Sequence, residues 1–419
     1  MLKKKDHKIE LQGADKFILA LEKHDKHKSS TGNTCQYILE VDSEFNLKSF
    51  IKAVESNEIV HWLSGFQLAV GLKNSNHWKT NNQPKKSVKV TVYKQLYNSS
   101  VHRQKINPIK DGLFNFEVFN SEGKIRTIVF TWHHLLMDGY GAGLLIQNLI
   151  TPFNIEPSLR EKSKINWETL KQAVQARRFV SSSSKGNIGI LPSKSSTEIK
   201  QTIRMISFSE KETKLIETNA RSHGAIFGPS SYFLAATSIA VQELRKNKGL
   251  DENDLWIPVP QSSRKKGEKW PLIGNHLSFL FYRLEHKLFE DKTLLTKDIT
   301  RQMMEQIKSK NGIRYNHLMN YLRPIPSSVY SRMIKGPNGD SLSSFLFTVA
   351  SDNNASMKSF FGGKIINQLS IPPNTFPPGL TFAFNYFDGR LTVIVQSYEH
   401  ILNLKESNTL ENSLRQLLN

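Results

Sequence analysis

Residues 131–143 read TWHHLLMDGYGAG. The preceding KIRTIVFTW is surrounded by β-formers, with Ile125, Val129 and Phe130 suited to a partly or fully buried strand. That strand delivers His133 and His134. Successive side chains of an extended segment point to opposite faces. The two imidazoles therefore cannot share one job: one faces a core or a sheet layer and the other a cleft. An imidazole with a pKa of about 6.5 is mostly neutral near neutral pH and can accept a proton from a hydroxyl or amine. Asp138 then sits with Gly139 in a predicted tight turn, where a carboxylate fixes the loop through backbone N–H groups or an arginine. GYGAG lacks the GxGxxG spacing of a dinucleotide fingerprint, and the segment is not the HExxH of zinc proteases. GAGLLIQNLI reads as the start of a helix.

Upstream, LQGADKFILALEKHDKHKSS predicts a short helix running into a polar loop. His24 and His27 lie among Lys23, Lys26 and Lys28, which would repel a metal cation, so a solvated loop is expected and no metal site. TCQYILEVD reads as a strand. NLKSFIKAVESNEIVHWL, with Leu47, Phe50, Ile51 and Val54 at helical spacing, reads as one amphipathic helix. SNHWKTNNQP is turn-like, and KKSVKVTVYKQ and FNFEVFN read as strands.

Residues 176–200, ARRFVSSSSKGNIGILPSKSSTEIK, have almost no periodicity and predict a linker. A lobe of 1–180 carrying the histidines is thus expected, a linker at 181–200, and a second lobe of 201–419. The second lobe opens with the strand TIRMISFS and a capping box, Ser209 with Glu212, before a helix that Gly224 stops. A helix from Pro229, the strands LWIPVPQ, NHLSFLFYRLE and SSFLFTVAS, and the helix LLTKDITRQMMEQIKSKNG follow. A hairpin with Asp388-Gly389 at its turn and a final helix end the chain. Neither half shows strict βαβ alternation. The predicted class is α/β: two lobes with mixed β-sheets flanked by helices.

Of the 419 residues, 38% are hydrophobic and 10% aromatic, enough to fill real cores and exclude a disordered chain. Cys35 is the one cysteine, so neither an intramolecular disulfide nor a cysteine metal cluster can form. The basic N-terminus has no apolar stretch behind it, and no run approaches the length of a spanning helix. A cytoplasmic protein is expected. Lys plus Arg number 57 against 37 Asp plus Glu, a net charge of +20. Such a surface attracts anions, whether nucleic acid, acidic lipid headgroups, phosphate-bearing small molecules or an acidic carrier protein, or, since the charge is spread along the chain and not gathered in one arm, it serves solubility or reflects a general use of lysine. Helix-turn-helix, zinc-finger and RNP patterns are missing, so nucleic acid is not an expected partner.

HHLLMDG matches the HHxxxDG motif and resembles the CoA-dependent acyltransferase superfamily, which includes chloramphenicol acetyltransferase and non-ribosomal peptide condensation domains. IPVPQSSR followed by PLIGNHLSFLFYRL, and the opening LQGADKFILALE, are similar to its wax ester synthase/diacylglycerol acyltransferase branch. The chain departs from that branch in lacking a Pro-Leu-Trp element, and FTVASDNNAS lacks its Asn-Val-Pro-Gly pattern. The resemblance implies two chloramphenicol-acetyltransferase-like lobes with an active-site tunnel at their interface. It implies His134 as general base, with His133, Asp138 and Gly139 structural, Asp138 held by an arginine, and Asn275 tied to the integrity of the site. The run SSRKKGEK offers Arg264, Lys265 and Lys266 to the phosphates of a donor, or is a solvated loop. A hydroxyl from FTVAS is a candidate for the oxyanion. The implied reaction moves an acyl group from acyl-CoA or acyl-pantetheine, used as co-substrate with no permanent cofactor, to a hydroxyl or amine. The alternatives are a condensation-type enzyme fed by an acyl carrier protein, a binding protein that keeps the fold, and contact with a membrane surface.

Overall fold

RTIVFTWH, residues 126–133, is central because both of its edges are taken by other strands, and its mostly buried faces suit that position. The computed structural model describes residues 8–25, 31–70, 76–80, 88–100, 102–120, 126–157, 165–192, 200–264, 271–335, 341–350 and 357–419. In chain order the elements are β1 (Lys8–Glu10), α1 (Gly13–His24), β2 (Thr34–Val41), α2 (Leu47–Ser56), α3 (Glu58–Ser64), β3 (Phe66–Val70), β4 (Asn76–Thr80), β5 (Val90–Tyr93), β6 (Phe114–Phe119), β7 (Arg126–His133), α4 (Gly139–Ile150), β8 (Glu156–Pro157) and α5 (Trp167–Ser183). Then come β9 (Gln201–Ser207), α6 (Glu210–Ser222), α7 (Ser230–Asn247), β10 (Leu255–Ser262), β11 (Leu272–Ile273), β12 (Leu277–Leu284), α8 (Lys292–Lys308), α9 (Asn311–Leu322), α10 (Ser327–Met333), β13 (Leu346–Val349), β14 (Ser359–Phe360), β15 (Gly363–Ile371), β16 (Thr381–Phe387), β17 (Arg390–Tyr398) and α11 (Leu404–Leu418).

A six-stranded mixed sheet runs β14-β15-β2-β7-β6-β5, and a four-stranded one runs β13-β16-β17-β9. The first covers a core in which Phe116, Phe130 and Trp132 stack, with centroids 4.8 and 5.1 Å apart. The second packs against α6, α7 and α11. β10 pairs antiparallel with β12, and β12 divides its faces by the period of two. Leu280, Tyr282 and Leu284 enter the second core, whereas Phe279 and Phe281 join a third cluster with α1, α9 and α10.

The six-stranded sheet draws on both sides of segment 181–200. β15 of the second half pairs with β2, and β11 pairs parallel with β8. The unperiodic stretch from residue 176 is helical through Ser183. Ala173 and Ala176 bury one face, and the Ser182 and Ser183 hydroxyls bond back to the Phe179 and Val180 carbonyls, so the serines do not break the turn. Residues 193–199 lie outside the described residues.

NLKSFIKAVESNEIVHWL forms two helices, not one. Asn57 breaks it, its side chain accepting from the Ile59 and Val60 N–H groups to cap α3. Asn76–Thr80 is a strand, not a turn, anchored by Trp78 packed edge-on against Phe66 at 5.7 Å. His24 is buried at the end of α1, not solvated, and His27 lies outside the described residues. The capping box at Ser209 and the hairpin turn at Asp388 and Gly389, both with positive φ, form as read.

Candidate active site

β7 ends at His133, which is fully buried. The Leu135 N–H donates to His133 Nδ1 at 3.1 Å, so that nitrogen is the acceptor and Nε2 carries the proton toward Glu22 Oε2 at 2.9 Å. Burial opposes ionisation of Glu22, yet its contacts with His133, Lys105 and Asn33 hold the carboxyl below its ordinary range.

His134 lines a cavity on the other side. Its main-chain N–H donates to the Asn33 carbonyl at 2.7 Å, and its ring Nδ1 lies 3.2 Å from Asn275 Oδ1. The Asn275 amide is oriented by its nitrogen, which donates to Asp15 Oδ1 at 3.0 Å and to the His134 and Leu135 carbonyls at 2.9 and 3.0 Å. Oxygen is thus the end that meets His134, so His134 Nδ1 carries the proton. The Nε2 lone pair is left as the basic site. Burial pushes the His134 pKa down, so the ring is neutral at neutral pH.

Asp138 caps α4, accepting from the Gly141 N–H at 2.9 Å. It also accepts from the His276 N–H at 3.1 Å and from both terminal nitrogens of Arg264 at 2.7 and 2.9 Å. The Arg264 guanidinium lies 4.3 Å over the Tyr140 ring. Arg264, expected at donor phosphates, is therefore Asp138's bidentate partner; Lys265 and Lys266 lie outside the described residues. Burial opposes ionisation of Asp138, but Arg264 outweighs it and holds the carboxyl below its ordinary range. Gly139 opens α4 without a positive φ. The crowding falls instead on Gly141, where a Cβ would lie 3.1 Å from the Met137 Cβ. His276, one residue past Asn275, is kept neutral, its pKa pushed down to about 4 by burial and by Arg264.

The residues unforeseen from the sequence are Asp15 and Glu22. They lie seven apart on α1, hence on one helical face, and each reaches one histidine, Asp15 through Asn275. That acidic pair at helical spacing was the available signal. Burial pushes the Asp15 carboxyl up to about 6 from an ordinary 3.8. The folded chain therefore binds this proton more tightly than the unfolded one. Ionisation as pH rises through this interval costs the folded state up to about 3 kcal/mol. Asp15→Asn, which never ionises, should gain in Tm relative to wild type as pH rises from about 4 to about 7. A Tm difference that stays flat over that range would show that Asp15 ionises as freely as in the unfolded chain.

The cavity holds about 490 Å³. Tyr140, Arg264, His276, Gln368, Ser370 and Asn385 give it a polar side, and Phe17, Leu21, Val180, Phe279, Leu318 and Met333 an apolar one. Thr348, from FTVAS, also lines it. Among the described residues no cluster of His, Cys, Asp or Glu could hold a metal ion, and no helix is long and apolar enough to cross a membrane. The arrangement puts two neutral imidazoles, His134 and His276, on the wall of a pocket large enough for small organic groups, and of the two only His134 has its Nδ1 beside the Asn275 amide oxygen.

No family model matches the sequence, and no curated protein matches it. Solved structures do match in fold. Trichothecene 15-O-acetyltransferase from Fusarium sporotrichioides has a TM-score of 0.71 at 10% identity, over 98% of this chain and 94% of that one. The starter condensation domain of rhizomide synthetase, solved with C8-CoA and Leu-SNAC, has 0.69 at 12% over 98% and 94%. Polyketide synthase associated protein 5 from Mycobacterium tuberculosis has 0.66 at 12% over 98% of both chains. The chain has the two-lobed mixed α/β fold that these acyltransferases and condensation domains share.

Proposed function

We propose that the protein transfers an acyl group from a pantetheine thioester, acyl-CoA in the first instance, to a hydroxyl or amine acceptor. The observation that carries this reading is a neutral His134 in the cavity wall, with Nδ1 held by Asn275 and Nε2 making no hydrogen bond among the described residues. The acceptor oxygen or nitrogen attacks the thioester carbonyl carbon while His134 Nε2 takes its proton. The tetrahedral intermediate then expels sulfur as the C–S bond breaks. The proton on Nε2 passes to the leaving thiolate, regenerating the neutral base and releasing free thiol. Thr348 is the candidate hydroxyl for the oxyanion. A thioester is already activated, so positioning and one base suffice, and no metal is called for.

A carrier-protein-bound donor is the second reading, favoured by the net charge of +20, which suits an acidic partner. The resemblance to the wax ester synthase branch is supported by sequence alone, by IPVPQSSR followed by PLIGNHLSFLFYRL with Asn275 in it, and by LQGADKFILALE. One assay separates the donors: a panel of acyl-CoAs and acyl carrier proteins, with alcohols or amines, read by release of free thiol. Cys35 does not contribute background, since it is buried and its thiol is pushed up to about 12. Thiol release that requires acceptor, with CoA donors, supports the first reading. Release from carrier-protein donors alone supports the second, and acceptor-independent silence with every donor sinks both.

A further inference from the structure

Asp15 is a buried carboxyl that the acyl-transfer steps leave idle. One of its oxygens accepts from the Gln12 main-chain N–H at 2.9 Å, a capping bond at the start of α1. The other accepts from the Asn275 amide nitrogen at 3.0 Å, and the oxygen of that same amide faces His134 Nδ1 at 3.2 Å. Carboxylate, amide and imidazole thus form one line of hydrogen bonds, and the two ends of the amide are conjugated. Hydrogen bonds in series polarise one another, so a charge accepting at the amide nitrogen makes the amide oxygen a stronger acceptor. Orientation alone does not call for that charge, since the His134 and Leu135 carbonyls already take the Asn275 nitrogen. Stability does not call for it either, because burial and the like charge of Asp138 oppose ionisation of Asp15.

Resting on the acyl-transfer reading, we propose that Asp15 is a positioning residue for the general base: its carboxylate, acting through the Asn275 amide, strengthens the acceptor at His134 Nδ1 and so makes Nε2 a stronger base. No proton travels along the line. The amide keeps both hydrogens, Nδ1 keeps its proton, and the carboxylate stays ionised while Nε2 takes the proton of the acceptor.

The device depends on the charge of Asp15, which is present above about pH 6 and fades below it. Lys16 is its neighbour on α1, His134 and His276 adjoin Asn275, and Asp138 is paired with Arg264. α9 and α10, packed on α1, carry Arg314, His317 and Arg332. Of these groups, Asp138 is the charge that acts on the Asp15 carboxyl. Asp138, held below its ordinary range, stays ionised above about pH 5, and His276 stays neutral there.

The test compares the full chain with Asp15→Asn and with Asp15→Ser, which removes the charge and keeps an acceptor oxygen. Two rates are followed from about pH 5 to about pH 8: kcat for acyl transfer, and carbethoxylation of His134 by diethyl pyrocarbonate, read by mass spectrometry. The second reports the ring nitrogen without any acyl donor or acceptor. At about pH 8 wild type should exceed both variants by about five- to tenfold in each rate, with KM little changed, the scale of turning a neutral hydrogen bond into a charge-assisted one. That excess should shrink several-fold by about pH 5, where wild type has lost the Asp15 charge as well. A merely structural carboxyl gives a ratio that does not vary with pH, and a flat ratio overturns the inference. Labelling of His134 at the wild-type rate in both variants at about pH 8 overturns it too. Failure of acyl transfer with every donor, while the labelling ratio behaves as expected, removes only the reaction. Transfer that proceeds with a flat labelling ratio removes only the role of Asp15.

Discussion

His134→Ala should lower kcat/KM for acyl transfer by roughly 10²- to 10⁴-fold, the range that a positioned general base supplies. The fold should survive, because among the described residues the ring makes one hydrogen bond to another side chain, to Asn275 Oδ1, and the residue lines the cavity. Binding of the donor should change little, so the loss falls on kcat. The wild-type pH profile gives a second readout. Only the neutral ring is a base, and burial lowers its pKa. The acid limb of kcat/KM should therefore fall below about 6.5, with a plateau through neutrality. His133→Ala should behave differently. It removes the buried proton donor that faces Glu22 and leaves that carboxylate short of a partner, so stability falls along with activity. Thiol-release kinetics with thermal unfolding separate the two histidines. Retention of acyl transfer within a few-fold in His134→Ala would remove it as the base.

The division of labour between the two histidines could be read from thirteen residues because strand alternation and a turn signal are local properties. The partners could not. Asn275 is 141 residues from His134 and Arg264 is 126 from Asp138, and no periodicity carries information over such gaps. SSRKKGEK read as a solvated or phosphate-binding run because charge is visible in a sequence and its counter-charge is not. α9 and α10 carry little signal in the sequence. Their Tyr315, Leu318, Leu322 and Tyr330 face a cavity, not a packed layer, and Asn316, His317 and Asn320 interrupt the apolar spacing. β14 and β15 are not legible locally, because their register belongs to a sheet whose other strands precede residue 134.

Arg264→Ala should cost about 3–5 kcal/mol, the price of stranding one member of a buried ion pair. The side chains are only 11% and 14% exposed. Asp138 would keep two backbone donors, Gly141 and His276, but lose both guanidinium bonds. For a chain of 419 residues that free energy lowers Tm by roughly 3–6 °C in a single transition. Arg264→Lys should recover little, because an ammonium cannot reproduce the two-pronged contact or the stacking on Tyr140. Folded Asp138 has a depressed pKa, so the pair's contribution is present above the ordinary carboxyl value of 3.8 and is lost only as pH falls through the lower folded value. The Tm deficit of Arg264→Ala should thus be constant from about pH 5 to about pH 8. Removing both charges with Asp138→Asn added should return part of the loss, since no uncompensated carboxylate remains. Activity should fall through kcat, not KM. Asp138 holds the His276 N–H, and its own N–H donates to the Gly274 carbonyl, so the pair clamps both neighbours of Asn275. Loosening that clamp frees the amide that fixes the His134 tautomer. Full activity and full stability in Arg264→Ala would show that the ion pair neither holds the loop nor aims the base.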